Sequence, residues 1–316
     1  MSLRTKLLLT LAATLLLGAL PWFASPTIIQ FGIATLLLAT LAQGWNIIGG
    51  YTGYASFGNS VFFGLGSYGT AIAMVQWQLP FGAGLAFGVL LSVLFAFVVG
   101  LPVLRLRGHY FAIATLALSQ VMTAIVSNLE IAGRNTGLVL PLLNGDVLFY
   151  ELSLAILVLA TLTIFWISRS RFGFGLIAIR ENEDAAASMG INTTRYKVMA
   201  FALAGVFSAL AGGIHAYWIT FIDPVSAFDI SLNVKMIIMT VFGGSGSVLG
   251  PVFGAFVLSS ISETLSTEVS SVASLFFGLV IVAAVVFMPR GLTELFRRFR
   301  ETGWRYFSEN IKQHRL

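Results

Sequence analysis

RSRFGFGLIAIRENEDAAASMGINTTRYK, residues Arg169 to Lys197, is a polar island set between long apolar stretches, and its reading decides the fold. A segment this polar, between runs this oily, belongs in water between membrane spans. The spacing predicts a short amphipathic helix over Ile179 to Met189. Glu181, Asn182, Glu183 and Asp184 crowd its start, where the positive end of the helix dipole favours acids. Ala185, Ala186 and Ala187 are good helix formers, and Gly190 supplies the residue that ends a helix most easily. The island reads as a docking helix for a separate protein, and the remaining chain as what that helix moves.

Working outward, 57% of the residues are hydrophobic and only 10% are charged. Soluble domains carry about a quarter charged residues, so the chain reads as an all-α polytopic membrane protein. Alternating segments of the barrel type are missing. With no cysteine in the chain, disulfides, thiolate metal sites and cysteine nucleophiles are excluded. His109, His215 and His314 are scattered, which argues against a histidine metal site. The N-terminal run MSLRTKLLLTLAATLLLGALPWFAS looks like a secretory signal. The bulky Trp22 and Phe23 stand where cleavage wants small residues, so an uncleaved first span is expected.

Apolar runs are expected as spans at 7–23, 27–48, 61–77, 81–104, 110–128, 152–167, 198–218 and 274–288, with a polar loop over 129–150. The stretch 231–264 is apolar but broken by GGSGSVLGP. It is short for two crossings of ~20 residues, and two shortened helices or one re-entrant hairpin both fit. The expectation is about ten transmembrane helices with two Gly-rich broken segments and a cytoplasmic coupling helix. By chain order this gives an N-terminal transmembrane half (1–168), a cytoplasmic coupling loop (169–197), a C-terminal transmembrane half (198–290) and a basic cytoplasmic tail (291–316).

With the N-terminus in the cytoplasm, all of the 18 lysines and arginines except Arg134 and Lys235 fall on the inner side. That bias sets orientation and puts both termini in the cytoplasm. The net charge of +5 therefore reflects topology and anionic inner-leaflet lipid, not nucleic acid.

GGYTGYASFG (Gly49 to Gly58) and FGGSGSVLG (Phe242 to Gly250) echo one another on either side of the island. Paired interruptions in two halves of a transporter point to the substrate path; two plain Gly-rich connections are the bland alternative. For a path we single out Tyr51, Thr52, Tyr54, Ser56, Asn59 and Ser245, which offer donors and acceptors in an apolar setting. Gly246, Gly250 and Gly254 at four-residue spacing read as a close-packing ridge. No clustered acid, base or nucleophile marks an enzyme, and no phosphate-binding G-x-x-x-x-G-K-[ST] occurs. Acids collect in loops rather than at mid-membrane, so the energy source is expected outside this chain. A stand-alone channel or facilitator for a small neutral solute, such as urea or an amide, fits the neutral Gly/Ser/Tyr breaks as well.

Asp184-Ala185-Ala186 with Gly190 resembles the E-A-A-x-x-x-G signature of ABC importer permeases, with Asp in place of Glu. Its surroundings, Ser170 to Gly205, are similar to the branched-chain amino-acid ABC permease family. So are Gly50 to Tyr68, Arg105 to Gln120, Val241 to Ala255 and Phe287 to Leu292, in family order and closest to its M-type subunit. Many members carry G-Q-L-S-L-G-H where this chain has Gly53-Tyr54-Ala55-Ser56-Phe57-Gly58-Asn59, a departure that bears on the substrate. The resemblance implies a permease of a bacterial inner-membrane, ATP-driven importer for branched-chain or other neutral amino acids. It implies no cofactor of its own, with ATP bound by two cytoplasmic ATPase subunits. A homologous permease subunit and an external substrate-binding protein are the other implied partners. Arg180, Glu181, Asn182, Glu183, Asp184, Ala185, Ala186 and Gly190 are then the ATPase-coupling residues.

Overall fold

A computed structural model of the chain describes residues 17–143 and 145–268, with side chains described to residue 264. The last expected span, 274–288, the basic tail, 291–316, and most of the first span lie outside the described residues. From the first span a 3-10 turn at Leu20–Trp22 is seen.

Helix α1, Pro26–Trp45, starts on a proline at its first position, where the missing N–H costs nothing, and runs on into a π-helical turn, Asn46–Tyr51. Then come α2 (Asn59–Val75), α3 (Phe81–Val103), α4 (His109–Asn128), α5 (Asp146–Ile167), α6 (Arg171–Glu181), α7 (Glu183–Ser188) and α8 (Thr193–Ile219). A short α9 (Pro224–Ala227) leads to α10 (Ile230–Gly243) and α11 (Gly250–Glu268). Among the described residues, six helical stretches are long and apolar enough to cross a bilayer: 26–51, 81–103, 109–128, 146–167, 193–219 and 224–243.

Helix α3 shows how such a bundle is built. Gly84, Gly88, Ser92, Ala96 and Gly100 recur every fourth residue and are all buried. Leu90, Leu94, Phe97, Val98 and Leu101 point outward and are exposed. Large apolar residues outside and small ones inside invert the soluble pattern. In lipid no hydrophobic force drives helices together, so close backbone approach does. The small stripe lies against α2 and α8, where a methyl on Gly66 would run into the Ala209 backbone. Helices from before and after the island thus interleave; the two halves divide chain order, not packing.

Two differences from the sequence reading concern the connections. Helix α5 begins at Asp146, inside the stretch read as loop. The fold is also not wholly helical: Leu138–Val139 (β1) pairs antiparallel with Phe221–Ile222 (β2), Leu138 opposite Ile222. This two-stranded clip gives partners to backbone groups that no helix serves. It sits where α8 ends, at the end of the bundle far from the island. The broken stretch is two helices, α10 and α11, in close contact. Gly254 packs on the Met239 carbonyl and Gly243 on that of Gly250, so a methyl at either position would clash. The packing ridge is therefore Gly243, Gly250 and Gly254, while Gly246 lies in the turn between the helices with φ of 74°.

Candidate functional site

The island folds as two helices. Asn182 is extended (φ −161°, ψ 109°), ending α6, and its side-chain oxygen accepts from Ala185 N at 3.0 Å to cap α7. This corrects the single helix expected over Ile179 to Met189. Asparagine competes for backbone hydrogen bonds inside a helix and is favoured as a cap. Glu183 and Asp184 are the first-turn acids of the second helix. Gly190, with φ of 88°, ends it.

Two junctions join the island to the bundle. The first centres on Lys197, one turn into α8 and 2% exposed. Its ammonium donates to Glu183 Oε1 at 2.7 Å, to Tyr54 OH at 3.0 Å and to the Leu104 carbonyl at 2.8 Å. All three of its protons therefore have acceptors, which a buried cation requires. Leu104 is the C-cap of α3, where a cation also meets the negative end of the helix dipole. The Tyr54 hydroxyl donates in turn to Glu183, and its ring stands edge-on to Phe111. Burial works to raise the Glu183 carboxyl, but the bonds from Lys197 and Tyr54 and the Lys197 charge outweigh it. The group is held below the ordinary carboxylate range. Burial, then the bond to Glu183, pushes the Tyr54 phenol up. On the water side, Arg107 grips both oxygens of Asp184, at 2.9 and 3.1 Å.

The second junction is built on backbone. Arg180, at the end of α6, donates from Nη1 to the Gly50 carbonyl at 3.1 Å and forks onto Glu181 through Nε and Nη2. The two Gly-rich breaks, 200 residues apart, meet here. Asn46 Oδ1 accepts from Gly246 N at 2.7 Å, and Asn46 Nδ2 donates to the Ser247 carbonyl at 2.9 Å. Gln43 adds a bond to the Val248 carbonyl at 2.8 Å.

The residues singled out as ATPase-coupling divide into an inward set, a cap and an exposed set. Arg180, Glu183 and Ala186 turn toward the bundle; Ala186 is only 4% exposed. Asn182 is the cap. Glu181, Asp184, Ala185 and Gly190 are exposed, and beside them Met189 stands 85% exposed.

Of the residues singled out for a path, Tyr51, Thr52, Ser56 and Asn59 are buried around the first break. Thr52 Oγ1 donates to the Ile48 carbonyl, and the Ser56 carbonyl accepts from Trp45 Nε1 at 2.8 Å. Tyr54 belongs to the Lys197 junction, and Ser245 is exposed in the second break. Asn59 is fully buried with both amide atoms unpartnered in the fold. Its neighbour Ser60 joins Asn233 of α10, at 2.8 Å, to Ser119 of α4, at 3.0 Å. His215 packs its ring on Phe63.

Lys197, Arg107, Gln43, Asn46 and Asn233 were not singled out in the sequence. Gln43 and Asn46 gave the one usable signal: two amides at i, i+3 in an apolar span, on one face, which lipid does not tolerate unpartnered. Among the described residues no cluster of three His, Asp or Glu could hold a metal ion.

Residues 27–285 match the family described as branched-chain amino acid transport system, permease component. The chain is 27% identical to the high-affinity branched-chain amino acid transport system permease protein LivM of Salmonella typhimurium, over 92% of this chain and 75% of that one. Identity and coverage are the same for LivM of Escherichia coli. The autoinducer 2 import system permease protein LsrC of Yersinia pseudotuberculosis is 28% identical over 62% of this chain and 60% of its own. No solved structure matches the chain.

Proposed function

The chain belongs to the branched-chain amino acid transport system permease family, and from that premise we propose how it works. It is the membrane subunit of an ATP-driven importer for branched-chain or other neutral amino acids, forming half of the translocation path. It hydrolyses nothing itself. Two ATPase subunits work it from the cytoplasm, a homologous permease completes the path, and an external binding protein delivers the amino acid. The charge bias supports a cytoplasmic island. Ten crossings account for the chain: the six given above, α2, α11, and the apolar runs at 7–23 and 274–288.

The observation that carries this reading is the form of the island. Helix α7 is pinned from beneath by Glu183 and Ala186, and with its flanks it offers water a small edge: Glu181 at the end of α6, Asp184 and Ala185, and Met189 at its C-cap. An unpartnered methionine at the tip of a rigid polar helix suits a groove on another protein. The path runs by the two breaks, with Asn59 supplying an unpartnered amide. Selection rests largely with the binding protein, so the passage is permissive.

Met189→Asp tests the docking edge, because the residue is exposed and the fold does not need it. In the reconstituted complex it should insert normally and lose leucine uptake by about tenfold or more, a coupling loss above 1.4 kcal/mol. Unchanged uptake contradicts the docking reading. Leucine flux through the purified chain alone, without ATPase, contradicts the importer reading.

A further inference from the structure

We propose that Arg180 is a positioning residue that carries the movement of the island to both Gly-rich breaks at once. The inference rests on the importer reading and deepens it. Arg180 was placed among the docking residues, yet its guanidinium turns toward the bundle. The side chain is 36% exposed, with one edge on Glu181 at the water surface and Nη1 on the Gly50 carbonyl. A guanidinium has five donors in a rigid planar fork, so one group holds two partners at a fixed separation.

The space around it is kept open by glycine. A Cβ on Gly53 would lie 2.8 Å from Arg180 Cγ, and one on Gly246 would lie 3.1 Å from Nη1. These glycines belong to different breaks, and both have positive φ, 74° each, where a side chain is strained. Arg180 thus lies in a slot whose walls are the two interruptions.

The slot is linked across. Gly50 lies in the π-helical turn that starts at Asn46, and Asn46 holds Gly246 and Ser247 of the other break by two side-chain bonds. A pull on the Gly50 carbonyl therefore reaches the turn between α10 and α11 through one buried amide. Irregular turns are the parts of a helix bundle that change shape most cheaply. Force applied at α6 has a short, polar and directional route into both.

The test uses the complete complex, co-expressed with its cognate ATPases, second permease and binding protein, in proteoliposomes. Arg180→Gln keeps a polar side chain and loses the cationic fork; Arg180→Lys keeps the charge but not the two-partner fork. Arg180→Gln should still assemble and hydrolyse ATP while leucine moved per ATP falls about tenfold, and Arg180→Lys should recover only part of it. Because the chain has no cysteine, Ser245→Cys gives a single label in the second break. Its alkylation rate should differ between nucleotide-free and ATP-trapped complex with Arg180 or Lys at 180, and should lose that difference with Gln. An Arg180→Gln complex with normal leucine per ATP and normal nucleotide-dependent labelling overturns the proposal. Failure of the unaltered complex to move leucine or any other neutral amino acid with ATP overturns the importer reading instead, and the labelling comparison still decides on Arg180.

Discussion

Two cations anchor the island, and they are built differently. Lys197 is sealed, with three acceptors from three different segments: a carboxylate, a phenol and a helix-end carbonyl. Arg180 is partly open, with one backbone carbonyl inside and one carboxylate at the water. A buried ion pair with its protons all placed resists displacement, since loss of either partner strands a charge. A guanidinium on the carbonyl of an irregular turn gives a tie of modest strength to a part that can move. The contrast separates a clamp from a lever: Lys197 fixes α7 to the ends of α3 and α8, so that they move together, and Arg180, at the end of α6, passes that movement into the breaks.

The largest break in this comparison should come from Lys197→Met. Removing the ammonium leaves the largely enclosed Glu183 with only the exposed Arg107, 3.8 Å away, and breaking a buried pair typically costs up to about 3–5 kcal/mol. Thermal unfolding of the detergent-solubilised protein should fall clearly, with loss of the assembled complex. A variant as stable as the parent shows that the node is not a clamp.

The second prediction is a pH dependence confined to the clamp. The Glu183 carboxyl is held below its ordinary value. A group with a depressed folded value contributes stability above its unfolded value, about 4.3 for glutamate, and loses it as pH falls through the folded one. The parent should therefore be steady from pH 8 to 5 and lose stability below about pH 4. Glu183→Gln should weaken the protein at neutral pH and flatten that acid limb. An equal acid loss in both proteins places the titration elsewhere.

The smallest effect belongs to Arg107→Ala. Its pair with Asp184 lies in water, with 59% and 76% of the side chains exposed, where ion pairs are screened and weak, and it stands at 3.8 Å from Glu183, which Lys197 already holds at 2.7 Å. Unfolding temperature and leucine uptake should stay at parent values. A large loss moves part of the clamp to the surface.

Much of this was legible in the chain. The island declared itself by charge between apolar runs. The two Gly-rich breaks, read as an echo, meet in space through Asn46. Small residues every fourth position in α3 were equally readable and were passed over because hydropathy rewards large residues and ignores glycine. What stayed hidden depends on partners remote in sequence. Tyr54 and Lys197 are 143 residues apart, and a lone lysine at a span boundary looks like any snorkelling charge. The inward turn of Arg180 was hidden likewise, since helical spacing gives a face and not what covers it. The split at Asn182 turns on two signals in one cluster: the acids mark a helix start, and the asparagine among them is a residue favoured as a cap.

An ATPase that works this permease through the exposed edge of α7 must meet Met189, which stands 85% exposed at its end. With Met189→Cys the only thiol in the chain, a short bifunctional reagent on the assembled complex should join residue 189 to an ATPase subunit, with a yield that changes on ATP binding. Reaction of that cysteine in intact cells with a membrane-impermeant reagent from outside, and no bond to an ATPase, would contradict the account.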